Sequence, residues 1–148
     1  MPVLNAEVQA AAANAAPDPR PLFPRGVSVL SSPVQATLDG LHPEERACVA
    51  RAVPKRQHEF ATGRRLAHQL LARLGAPDFA LLSDADRAPI WPEGLIGSIS
   101  HSHGLCVVAV SPRGALSGIG VDVEEACGVR PELWRRVMRP EEEEWLRA

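Results

Sequence analysis

The sequence predicts a mixed α+β fold, and three observations carry that prediction. Apolar residues recur at helical spacing between 55 and 74. After Gly75 the pattern changes to strand-like alternation. Turn residues then divide 95–124 into three short runs of strand character. At 148 residues the chain is long enough for a real hydrophobic core.

The elements follow in order. Residues 1–21 are rich in Ala and Pro with few large apolar groups, and read as a mobile leader. Val27 and Val29 alternate with smaller neighbours and predict a strand at 26–30. His42-Pro43-Glu44-Glu45 opens a helix, with Pro and acids in the first turn, which must stop before Pro54. The helix at 55–74 carries Phe60, Ala67, Leu70, Leu71 and Leu74 on its apolar stripe, and Gly75 stands at its C-terminal cap. Gly63 inside it costs about 1 kcal/mol relative to Ala, which calls for close approach of a neighbour or ligand. A short strand is expected at 79–82, then a turn-rich loop at 87–94. Strands follow at 95–101, 105–110 and 115–124, with turns at Ser102-His103-Gly104 and Ser111-Pro112-Arg113-Gly114. Short helices are expected at 131–138 and from Pro140, the latter with Glu141 to Glu144 in its first turn.

A net charge of −2 argues against a general nucleic-acid binder. No run approaches the roughly 20 apolar residues of a membrane span. Without a secretory signal, the expected location is the cytoplasm. Cys48, Cys106 and Cys127 are odd in number and lack metal-type spacing, so they read as reduced thiols.

The chemistry concentrates in four stretches. In Gly118-Ile-Gly-Val-Asp-Val-Glu124, a strand would put Val121 and Val123 on one face and Asp122 and Glu124 on the other. Carboxylates about 7 Å apart suit a hard divalent cation, and the plain alternative is a solvated strand face. Gly97-Ser-Ile-Ser-His-Ser-His-Gly104 supplies hydroxyls, imidazoles and thin backbone, which suit phosphate contact by Ser100 and His101. Zinc at His101 and His103 is disfavoured, because the cysteines show no matching pattern. Lys55, Arg56, Arg64 and Arg65 are either a solvated helix face or an anion site. Arg87, beside Pro89 and Trp91, is either presented to a ligand by a rigid turn or merely close to a Trp that anchors the loop.

Taken together and in this order, these stretches resemble the 4′-phosphopantetheinyl transferases, most of all the enterobactin-synthase component D branch of the surfactin-activating type. The match runs over about 45–146. It rests on Lys55-Arg56 through Glu59-Phe60 to Gly63-Arg64, on Arg87-Ala-Pro-Ile-Trp-Pro-Glu-Gly94, on Gly97-Ser-Ile-Ser-His-Ser102 and on Gly120-Val-Asp-Val-Glu124. The resemblance implies a fold of two similar α+β lobes with coenzyme A between them. It implies a leader at 1–21, a first lobe at 22–117 and the start of a second lobe at 118–148. It implies Mg²⁺-dependent transfer of the phosphopantetheine arm of coenzyme A to a serine of an acyl, peptidyl or aryl carrier protein. Adenosine 3′,5′-bisphosphate would leave, and siderophore or other secondary-metabolite assembly lines would be served. Asp122 and Glu124 would be the catalytic metal ligands. Arg56, Arg64, Arg87, Ser100 and His101 would bind the coenzyme, and the full-length protein would be a monomer. The family's later Trp-x-x-Lys-Glu helix has no counterpart before Ala148; Met138 through Leu146 resembles the preceding Phe-Ser-x-x-Glu-x-x-x-Leu motif, with Glu142 at its Glu and Met138 and Arg139 replacing the usual Phe and Ser. A truncated lobe that binds coenzyme A or Mg²⁺ without turnover is the competing expectation.

Overall fold

A computed structural model of the chain describes residues 16–76, 78–114, 116–125 and 129–147. Most of the predicted leader, and Cys127, lie outside the described residues. Three antiparallel strands form one sheet in the order β1-β3-β2, with β1 at Ser28–Pro33, β2 at Leu95–Ser102 and β3 at Leu105–Pro112. Helix α1 spans Pro43–Val49 and α2 spans Pro54–Arg73. Short helices α3, Trp134–Val137, and α4, Pro140–Arg147, follow.

The central strand explains the layering. Every residue of β3 from Cys106 to Val110 is buried, so both faces of the sheet are covered. On one face Cys106, Val108 and Val110 pack against Leu66, Ala67, Leu70 and Leu71 of α2, with Leu81 completing the core. On the other, Val29, Val107 and Ala109 are covered by Phe23, Val27, Ile119, Val121 and Val123. His103 and Gly104, at φ of 49° and 80°, make the tight two-residue hairpin between β2 and β3. Gly75, at φ 75°, follows the end of α2 as a left-handed cap requires.

Gly63 and Gly97 are places of close approach. A Cβ on Gly63 would come within 2.9 Å of the Ile99 Cγ2 methyl, so the neighbour that the glycine admits is the sheet itself. A Cβ on Gly97 would meet the Trp91 ring at 2.6 Å and the Ala109 carbonyl oxygen at 2.8 Å. Trp91 therefore anchors its loop to the core through Gly97.

Two predicted strands do not form. Residues 79–82 make no ladder; instead an isolated bridge joins Ser83 to Pro89. Residues 116–125 are also without a strand ladder. The alternation there is real, since Val121 and Val123 face the sheet while Asp122 and Glu124 are exposed. Serine side chains replace the missing backbone pairing: Ser98 Oγ accepts from the Val121 N–H at 3.1 Å, and Ser100 Oγ from the Val123 N–H at 3.1 Å. The first strand begins at Ser28 rather than Gly26 and runs on to Pro33, because β3 offers partners that far. Among the described elements, α3 and α4 contact only each other and the preceding 3-10 turn Pro131–Leu133. Glu142 accepts a hydrogen bond from the Arg139 backbone N–H at 2.8 Å at the start of α4.

A buried carboxylate ties the helices together. Glu45 of α1 has no exposed surface. It accepts hydrogen bonds from His68 Nε2 of α2 at 2.8 Å, from the Leu81 N–H at 2.8 Å and from the His42 N–H at 3.0 Å. Burial by itself raises its pKa. The bonds from His68, from the His42 and Leu81 backbone and the attraction of His68 outweigh that, and hold the carboxyl below its ordinary value of 4.5.

Two stability predictions follow from these contacts. Gly97→Ala should cost about 1–3 kcal/mol in urea unfolding, because Trp91 must leave its seat; an unchanged midpoint would show that the ring is not seated there. The folded pKa of Glu45 lies below its unfolded value. Its contribution is thus complete above about pH 4.5 and disappears as pH falls through the lower folded value. Glu45→Gln should cost about 2 kcal/mol at neutral pH and flatten the loss of stability in acid. An acid limb identical to wild type would exclude Glu45 as its source.

Candidate functional site

Helix α2 delivers its basic residues to different places. Arg65 is committed to structure, donating to the carbonyls of Thr37 and Asp39 at 3.2 Å each and to Thr62 Oγ1 at 3.1 Å. Arg56 and Arg64 instead line a cleft of about 300 Å³, together with Glu59 and Phe60 of the same helix. His101 of β2 and Arg87 of the Pro-Trp loop complete its polar wall. Arg87 holds φ at 66°, unusual for a non-glycine residue and costly unless the turn requires it. The larger hollow of about 730 Å³ beside the outer part of β2, lined by Trp91, Pro92 and Gly94, has Glu93 and Arg113 as its charged residues and no convergence of like charge.

Arg64 is the most telling side chain. It is 4 % exposed, and its guanidinium lies 4.3 Å over the Phe60 ring. One Nη donates to Ser83 Oγ at 3.0 Å, while the buried Nε has no partner. Burial lowers its pKa, and the field of Glu45 opposes that shift. A buried cation with an unused donor, facing a cleft that holds further cations, fits an anionic ligand.

Arg56 and His101 meet directly, with Nη1 2.7 Å from Nε2. On the other side of the ring, His101 Nδ1 lies 3.5 Å from Glu59 Oε2. Lys55 Nζ stands 4.0 Å from the other Glu59 oxygen. Sequence reading gave Glu59 no role; its position one turn along from Arg56 was the available signal.

The remaining sequence-predicted residues lie across the sheet. Ser100 and His101 are neighbours in β2, so they point to opposite faces. Ser100 pairs with Val107, above the face that Val121 and Val123 cover, and donates to Asp122 Oδ1 at 3.2 Å. The Val123 N–H also reaches Asp122 Oδ1, at 3.0 Å. Asp122 and Glu124 are exposed and border a separate hollow of about 490 Å³. Among the described residues, no group of three or more His, Cys, Asp or Glu side chains is placed to hold a metal. Two exposed carboxylates on one side of an extended chain nevertheless fit Mg²⁺, which takes few protein oxygens and keeps several waters. His103 points away, toward Glu125 at 3.1 Å.

Among the described residues, Cys48 and Cys106 belong to no group placed to hold a metal. Cys106 is fully buried under α2, and burial pushes its thiol up to about 11. Cys48 is exposed at the rim of the arginine cleft.

Residues 44–111 match the family model of the 4′-phosphopantetheinyl transferase N-terminal domain. The chain is 44% identical over 106 residues to the 4′-phosphopantetheinyl transferase Svp of Streptomyces mobaraensis, covering 72% of this chain and 43% of that protein. It is 36% identical over 107 residues to the 4′-phosphopantetheinyl transferase Npt of Nocardia iowensis, covering 72% and 48%. With enterobactin synthase component D of Salmonella typhi it shares 31% over 96 residues, covering 64% and 39%. The chain spans less than half the length of these relatives. The matched segment contains α2, the cleft and the β2–β3 hairpin, so these are the parts of the chain that are similar to the 4′-phosphopantetheinyl transferase N-terminal domain.

Proposed function

We propose that this chain binds coenzyme A and, in the whole protein, transfers its phosphopantetheine arm to a serine of a carrier protein. The observation that carries the reading is the buried, incompletely paired Arg64 in a cleft shared with Arg56, Arg87 and His101. Coenzyme A carries phosphate at two separated places, and this site has two polar halves that meet at the adjacent residues Ser100 and His101. The arginine half suits the phosphate on the nucleotide. The half at Ser100, Asp122 and Glu124 suits the diphosphate, with Asp122 and Glu124 as the residues that would hold Mg²⁺. When bound there, Mg²⁺ supplies charge stabilisation for the leaving phosphate.

In this reaction the serine oxygen forms a bond to the phosphorus next to the pantetheine arm. The bond from that phosphorus to the adenosine 3′,5′-bisphosphate breaks, and the serine loses its proton. Arg56, Arg64 and Arg87 grip the nucleotide end, His101 orients Arg56, and Ser100 orients Asp122. Such chemistry is mostly positioning and charge stabilisation. On this reading 1–21 is a leader, 22–117 the first lobe and 118–148 the opening of a second. The exposed Val137 and Trp145 are apolar surface that a larger lobe would bury. The protein would act as a cytoplasmic monomer in secondary metabolism, siderophore synthesis included. The second reading is a module that binds coenzyme A without turnover; it is consistent with Asp122 and Glu124 belonging to no group of three or more His, Cys, Asp or Glu side chains placed to hold a metal among the described residues.

Calorimetry of the chain with coenzyme A should show binding, and Arg64→Ala should weaken it tenfold or more, about 1.4 kcal/mol. Absence of binding by the wild-type chain would overturn the assignment. With apo carrier protein, coenzyme A and Mg²⁺, intact-mass analysis should show the carrier gaining one phosphopantetheine group. Asp122→Ala should abolish that gain without changing the far-ultraviolet circular dichroism. A carrier that gains mass equally with Asp122→Ala would remove Asp122 from the metal site; binding with no mass gain by the whole protein would leave the binding-module reading.

A further inference from the structure

We infer that Glu59 is a positioning residue that fixes the proton of His101 on Nδ1, so that the free Nε2 lone pair holds Arg56 across the cleft. A guanidinium has five donors and no acceptor, so in the 2.7 Å contact between Arg56 Nη1 and His101 Nε2 the imidazole must accept. Nε2 therefore carries no proton. A neutral ring with a bare Nε2 has its proton on Nδ1, and Nδ1 faces the Glu59 carboxylate at 3.5 Å. Glu59 is well placed to impose this state. Its side chain is 12% exposed against 27% for His101, and α2 and β2 hold the two from opposite walls. Lys55, 4.0 Å from Glu59, is 83% exposed and leaves the carboxylate free to face the ring.

The consequence is an ordered arginine. Without an acceptor at Nε2, the exposed Arg56 would lose this anchor and sample solvent, and a ligand would have to order it on arrival. A histidine orienting a cation, itself oriented by a carboxylate, follows the logic by which outer partners set ring tautomers at metal sites. A doubly protonated ring would have no lone pair for Arg56 and would repel it. The charged groups facing this ring are Arg56 and Glu59, with Arg64 and Arg87 elsewhere on the cleft wall. The use of the ordered Arg56 rests on the coenzyme A reading; the tautomer itself does not.

The test is long-range ¹H–¹⁵N correlation spectroscopy of the ligand-free chain above about pH 8, over the ordinary imidazole value. The His101 signals are identified by their absence in His101→Asn. The wild-type ring and Glu59→Gln, whose amide oxygen still accepts, should show a protonated Nδ1 and a bare Nε2. Glu59→Ala should move the proton to Nε2; Glu59→Leu, near Glu in volume, serves if the alanine variant fails to fold. A bare Nδ1 in wild type, or a protonated Nδ1 retained in the variants that cannot accept, would overturn the proposal. As a second readout, Glu59→Ala should weaken coenzyme A binding about tenfold, with Glu59→Gln close to wild type. Equal losses in both variants would refute the positioning role. A wild-type chain with the expected tautomer that binds no coenzyme A would refute the cofactor reading alone.

Discussion

A single buried carboxylate sets the frame on which the rest depends. Glu45 sits where no water reaches, and an ionised group there is tolerated because three donors converge on it. Those donors come from the start of α1, the middle of α2 and the strandless segment beyond α2. Among its described residues the last of these has no ladder beyond the single Ser83–Pro89 bridge, and the hydrogen bond from Leu81 ties it to the helices. Ser83 follows two residues later and receives Arg64. The position of the cleft's principal cation is therefore tied, through one short segment, to the same carboxylate that joins the helices.

The second constraint is the alternation of β2. A strand cannot send neighbouring side chains to one side, so Ser100 and His101 serve opposite faces. His101 belongs with Arg56 and Glu59 under α2; Ser100 belongs with Asp122 under the open segment. On the proposed coenzyme A reading, both groups border one extended ligand at this outer strand. This makes a site with two polar halves from a run that looks, in one dimension, like a single polar cluster. Serine is suited to its place because its hydroxyl both accepts from the Val123 backbone and donates to Asp122.

Much of this was legible from residue order alone. The stripe Ala67, Leu70, Leu71 located the core face of α2, and Gly75 its end. Gly63 announced a close approach, and the tertiary structure supplied Ile99 as the partner. Val121 and Val123 announced a buried face and Asp122 and Glu124 an open one. The missing ladder at 116–125 was not legible, because alternation reports which side is buried and is silent on whether a backbone partner exists. Nor was the division of labour between Arg64 and Arg65: adjacent guanidiniums differ by a rotation of about 100° around the helix, and only the neighbours on each side decide their use.

The sequence by itself determined the α+β class, the extent of the long helix, the hairpin at His103-Gly104 and the residue types able to meet phosphate and a hard cation. These follow from periodicity, backbone stereochemistry and side-chain chemistry, all of which are local. Only the tertiary structure decided that Arg64 is buried with an unused donor, that Glu59 faces His101, and that Ser100 meets Asp122. Each of those is a relation between segments far apart in the chain, fixed by how α2 packs on β3 and by the length of the connections that allow it.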